Sequence, residues 1–129
     1  MTRTSMALAS LFMVASAFAC GYLMGHTIVG QPRTLIHAVS IQWKQGVSEE
    51  DKQKVLEGVR RMAEDIPGVK NVWIKSQRVE PRGFDDGFVI EFKDRGAADS
   101  YASSAAHKRW NDLYLPLRIT SVSIDVSNP

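Results

Sequence analysis

After an apolar beginning, the chain settles into two alternating rhythms of hydrophobic and polar positions. Leu35, His37, Val39, Ile41 and Trp43 occupy every second position, with Ser40, Gln42 and Lys44 on the opposite face. That period predicts a half-buried strand with a histidine on its apolar side. Ser48 followed by Glu49, Glu50 and Asp51 opens a helix, the serine as N-cap and the acids facing the positive end of the dipole. Val55, Leu56, Val59, Met62, Ala63 and Ile66 form its apolar stripe, and Pro67-Gly68 stops it. Val69 to Val79 reads as a second strand, Glu80 to Gly87 as a turn-rich connection, and Phe88, Ile90 and Phe92 as the alternating positions of a third strand. Asp94 caps a second helix with a small-residue face of Ala97, Ala98, Tyr101, Ala102 and Ala105. A short helical segment from His107 to Leu113 follows, and Ile119 to Val126 is a last strand with Thr120, Val122, Ile124 and Val126 on one face. The order βαββαβ predicts an α+β sandwich of ferredoxin-like topology, one antiparallel sheet with helices on one face.

The strands are apolar on more of their surface than one layer of helices covers. Trp43, Val72 and Val89 are predicted to need a cover from outside the chain, and face-to-face pairing of the sheets of two copies supplies one. A homodimer is therefore expected.

Residues 1–25 have a different character. One cation, Arg3, precedes a run from Met6 to Met24 without a charge, which reads as an export signal with the small-x-small pattern Ala17-Phe18-Ala19. Cys20, the sole cysteine, stands where a lipoprotein is cut and acylated. The run also matches the ~20 residues that span a bilayer. Cleavage, lipidation at Cys20 and a retained anchor all place the remaining chain outside the cytoplasm, because Arg3 favours a cytoplasmic N-terminus. The membrane enters only through this segment. Residues 26–34, with Gly30 and Pro32, read as a linker, and residues 35–127 as the single domain.

One cysteine permits no internal disulfide, so packing holds the domain. A net charge of +2 over 129 residues leaves no electrostatic footprint for nucleic acid. The stretch Arg82 to Phe92 echoes an RNA-recognition strand, but Asp85 and Asp86 interrupt it where a phosphate backbone would lie. No nucleic-acid partner is expected. His37 and His107 give no recognisable metal spacing even with Asp99 added, so neither a metal nor another cofactor is expected. Trp43, Trp73 and Trp110 are assigned to core and interface.

Within the domain from residue 35 onward His37 and His107 are the only imidazoles, so any acid–base chemistry there centres on them. The segments Leu35-Ile36-His37-Ala38-Val39, Ser48-Glu49-Glu50, Ile66-Pro67-Gly68-Val69-Lys70, Phe88-Val89-Ile90-Glu91-Phe92 and Tyr101 to His107 resemble, in order, the stress-responsive dimeric α/β-barrel (Dabb) domain. That resemblance implies the fold just derived and a homodimer whose sheets close a barrel. It also brings in the family's olivetolic acid cyclase-like members, which carry a strand-one His and a Tyr and His flanking the second helix. By position these fall on His37, Tyr101 and His107. The implied reaction is an intramolecular aldol condensation with His107 as general base and Tyr101 and His37 holding a polyketide-like substrate. Val39 and Trp110 are the candidate ligand-lining residues. The family's His-Pro-Ala-His stretch reads Ser104-Ala105-Ala106-His107 here, and without the proline the second helix is expected to run on and re-aim His107. A bland role stands beside the enzyme: a small-ligand-binding or structural module in which the histidines bridge helix and sheet.

Overall fold

The computed structural model describes residues 30–128; the leader and Cys20 lie outside them. The elements are β1 (Leu35–Trp43), α1 (Glu49–Glu64), β2 (Val69–Trp73), β3 (Asp86–Phe92), α2 (Arg95–Ser103), α3 (Ala105–Tyr114) and β4 (Arg118–Ser127). The four strands form one sheet in the order β2-β3-β1-β4, with every pair antiparallel. This is the expected ferredoxin-like fold, with the second helix divided in two. Among the described residues no helix is long and apolar enough to cross a membrane.

Each helix begins where a side chain satisfies its free amides. Ser48 accepts from the Asp51 N–H at 3.1 Å to start α1, and Asp94 accepts from the Ala97 N–H at 2.8 Å to start α2. α1 buries Val55, Leu56, Val59 and Met62 against the sheet. Gly68 ends the following turn at φ +87°, and a Cβ there would stand 2.6 Å from Ala97 Cβ. Only glycine meets both demands, which explains the Ile66-Pro67-Gly68 stop.

Three expectations are corrected. The second strand ends at Trp73 rather than Val79; the chain from residue 74 to 85 is irregular, with turns near Pro81-Arg82-Gly83. Trp43 needs no outside cover: it is buried, its Nε1 donates to Asp86 at 2.7 Å, and it packs edge-on against Tyr114. Val72 pairs with Ile90 and packs against the same core. The strand pattern had already placed Trp43 on the face of Ile41, and that face belongs to the helices.

Register identifies the residues left on the other side, since directly opposed residues of an antiparallel pair share a face. Trp73, Val89, Ala38 and Ile124 form one row across all four strands. Val122 and Val126 flank it on β4, and Trp73, Val122, Ile124 and Val126 are each between 48% and 60% exposed. The apolar alternation of β4 thus points away from the helices. Its polar alternation, Ser121, Ser123 and Asp125, faces them opposite Ile41, Val39 and His37.

Candidate functional site

The inward polar face of β4 makes one wall of a cavity of about 160 Å³, with β1 and β3 as its floor and α2 and α3 as its roof. His37, Tyr101, His107, Trp110 and Val39 all line it, together with Arg118. The sequence-derived group is therefore brought to one place. The Tyr101 ring stands between the two histidines, 5.8 Å from His37 and 4.4 Å from His107, centre to centre.

α3 carries most of the roof, and two local features set its position. The chain breaks between α2 and α3 at Ser104, whose extended backbone stops one helix while its Oγ accepts from the His107 N–H at 3.0 Å to start the next. The expected run-on of the second helix does not occur: a serine N-cap interrupts the helix without a proline. The new helix spans Ala105–Tyr114, longer than the predicted His107 to Leu113. Gly58 on α1 then lets Trp110 approach, because a Cβ at that position would lie 2.9 Å from Trp110 Cδ1. Trp110 Nε1 donates to the Val55 carbonyl at 2.9 Å, and its ring stacks on Tyr114 at 4.5 Å. Val39 and Trp110 are both buried, so they act as wall rather than mouth.

The two histidines differ in what remains free. His107 Nδ1 lies 3.1 Å from the Ala102 carbonyl, which only accepts, so Nδ1 carries the proton. Its Nε2 then accepts from Asn111 Nδ2 at 3.2 Å. Both nitrogens are engaged. Burial lowers the His107 pKa, opposed by the Ala102 carbonyl and helped by His37, and the ring is held neutral. His37 Nδ1 lies 2.7 Å from Asp125 Oδ1, which fixes the proton on Nδ1 and leaves the lone pair of Nε2 unclaimed by this bond. Burial raises the Tyr101 pKa well above the ordinary phenol range, helped by Tyr114 and Asp125. Tyr101 is thus a hydrogen-bond donor at neutral pH.

Asp125 and Arg118 are candidate site residues that the sequence reading missed. The signal for Asp125 lay in the β4 alternation, where Thr120, Val122, Ile124 and Val126 draw attention to the apolar face and away from the polar one. Asp99, the carboxylate considered beside the histidines, instead pairs with Arg95 at 3.3 Å on the surface of α2. Among the described residues no group of three or more potential metal ligands converges. A larger hollow of about 420 Å³ lies between α1 and the segment after β2, lined by Gln53, Glu57, Arg60, Lys75 and Asp86; neither histidine reaches it.

Such a fold, an open four-stranded antiparallel sheet with a small cavity between one face and its helices, defines a ferredoxin-like α+β domain with an uncovered sheet face. The profile of the stress responsive A/B barrel domain, Dabb, matches residues 35–128, and the chain belongs to that family. Comparison with curated proteins gives no significant sequence match. Among solved structures, a Dabb family protein with a ferredoxin-like fold from Mesorhizobium loti is similar at 21% identity and a TM-score of 0.65, over 74% of this chain and 97% of that one. A dimeric ferredoxin-like protein of unknown function from Bacteroides fragilis matches at 13% identity and a TM-score of 0.61, over 77% of this chain and 100% of the other. The hydroxynitrile lyase of Passiflora edulis matches at 14% identity and a TM-score of 0.67, over 76% and 95% of the two chains. Solved structures that share this fold thus include a dimeric protein and an enzyme.

Proposed function

We propose that this chain forms a homodimer in which each protomer binds a small organic molecule between sheet and helices. His37 Nε2 is the group that accepts a hydrogen bond, or a proton, from that molecule. The observation that carries this reading is the 2.7 Å contact between His37 Nδ1 and Asp125 Oδ1. A carboxylate that fixes one ring nitrogen holds the ring's orientation and directs the other nitrogen into the cavity. Asp125 is 51% exposed, so solvent screens the pair and its value lies in orientation more than in stability. Tyr101 supplies a neutral donor on the same cavity.

The size of the site limits the ligand. A cavity of about 160 Å³ falls below the ~300 Å³ at which drug-sized ligands begin to fit, so the partner is a compact molecule. The uncovered row of Trp73, Val89, Ala38 and Ile124 supports the dimer, and the dimeric relatives of the same fold agree with it. Export, with the domain released or tethered on the outer side of the membrane, rests on the uncharged run after Arg3.

A second reading, aldol cyclisation with His107 as base, is favoured by one observation: burial holds His107 neutral. It requires Asn111 to release Nε2, and it asks a small cavity to fold a linear poly-β-keto chain. The test is a thermal-shift panel of small phenols and carbonyl compounds against the wild-type protein, Asp125→Asn and His37→Gln. Binding should be lost or weakened at least tenfold in both variants. Binders that ignore both substitutions would contradict the reading, and turnover of a linear poly-β-keto thioester that disappears in His107→Gln alone would favour the cyclase.

A further inference from the structure

We propose that the cavity selects a small organic acid in its ionised form, with Arg118 gripping the carboxylate at one end while the rest of the molecule extends toward His37. This deepens the reading of the cavity as a small-molecule site and rests on it.

Arg118 is the first residue of β4 and lines the same cavity as His37 and Tyr101. It is only partly exposed, and it forms no ion pair among the described residues. Arg60, Arg78, Arg95 and Arg109 each have a carboxylate partner, whereas Arg33, Arg61 and Arg82 lack one but stand exposed to water. Arg118 is thus the guanidinium that is partly withdrawn from solvent, turned to a cavity and left without a counter-charge. Such a group costs free energy unless an anion joins it.

The neighbours of Arg118 hold it without neutralising it. Its guanidinium carbon lies 5.0 Å from the centre of the Tyr114 ring, and Nη1 donates to Ser121 Oγ. Stacking and one hydrogen bond fix the planar group and leave most of its five donors unspent. The acid on the inward face of β4, Asp125, is committed to His37. Four steps along the strand separate it from Ser121, about 13 Å at the usual rise, so it does not neutralise the Arg118 end. The wall between them carries the hydroxyls of Ser121 and Ser123. A fixed guanidinium at the head of a short cavity with apolar walls at Val39, Phe88 and Trp110 matches a planar monocarboxylate, which accepts two parallel hydrogen bonds from it.

Benzoate and its neutral isostere benzamide make the test. Both are titrated into the full-length protein, with binding followed through the side-chain resonances of Arg118, Val39 and Trp110. Benzoate is expected to bind at least tenfold more tightly than benzamide, to shift the Arg118 Nε–H resonance, and to lose its advantage as salt is raised. In Arg118→Gln the two probes should bind within about twofold of each other, benzamide being unaffected. Equal binding of the two probes to the wild type overturns anion selection and leaves the cavity as a neutral-ligand site. Failure of both probes to shift Val39 or Trp110 overturns the proposal as well; if the phenol and carbonyl panel then also fails, the small-molecule reading falls with it. The wild-type comparison stands without any variant, so poor folding of Arg118→Gln does not rescue the proposal.

Discussion

At the residue scale the site is defined by what each imidazole has left to give. His107 spends Nδ1 on the Ala102 carbonyl and Nε2 on Asn111, and burial lowers its pKa from the ordinary value of 6.5. The folded protein thus binds the His107 proton less readily than the unfolded chain does. The contribution is fully present above the unfolded value and is lost as pH falls below it toward the folded one, so acid destabilises the fold through this group. Urea midpoints measured from pH 8 down to pH 5 should decline more steeply for the wild type than for His107→Gln; parallel declines would show that His107 does not titrate with folding. A sequence alone marks His37, Tyr101 and His107 as a group but not the division of labour among them. That division is set by hydrogen-bond partners from the backbone of α2 and from a strand that follows His37 by 88 positions.

At the element scale the decisive event is the break between α2 and α3. Ser104 stops one helix and caps the next, and its Oγ bonds the backbone of His107 itself. Ser104→Ala should cost about 1 kcal/mol of stability, the usual worth of an N-cap. It should also shift the His107 ring resonances, because the first turn of α3 loses its anchor; denaturation midpoints together with histidine spectra check both. An unchanged His107 environment would mean that Trp110 alone, seated against Gly58, fixes the helix. A helical reading separates two segments but sets the break after Ala105 instead of at Ser104, because Ala102 to Ala106 has strong helix formers on both sides of two serines, and capping competes with propagation only by about a kilocalorie. The strands were legible in their alternation. The end of β2 was not: Ile74 and Val79 continue an apolar rhythm although pairing with β3 stops at Trp73.

At the scale of the whole molecule, the sheet has two apolar faces and helices for one. The helices cover Ile41, Trp43, Phe88, Ile90 and Phe92, each at most 5% exposed, whereas Val122, Ile124 and Val126 stand in a row on β4 at 48–60%. A contiguous apolar face of this kind marks an interaction surface, and in a dimer of sheets the partner buries it. Ile124→Glu should yield a folded monomer by light scattering with an unchanged far-ultraviolet spectrum, since the charge obstructs pairing without entering the protomer's own core. A wild-type protein that stays monomeric at micromolar concentration would contradict the proposed assembly. An uncovered apolar sheet face was legible in the sequence, but the residues that form it were only partly so. Val89 belongs to the outer face, whereas Trp43 and Val72 belong to the inner one, because register with Ile90 and contact with Tyr114 decide the face. The cavity hangs from that same geometry: β4 turns its apolar side away from the helices and therefore its serines and Asp125 toward them. The proposed dimer face and the site wall are two sides of one strand. The most direct test of the account is the ¹⁵N spectrum of the His37 ring in the wild-type protein, recorded above neutral pH before and after saturation with the tightest binder from the phenol and carbonyl panel. The account predicts the proton on Nδ1 and a bare Nε2 whose resonance moves when the ligand binds; a proton on Nε2, or an Nε2 resonance unmoved at saturation, would contradict it.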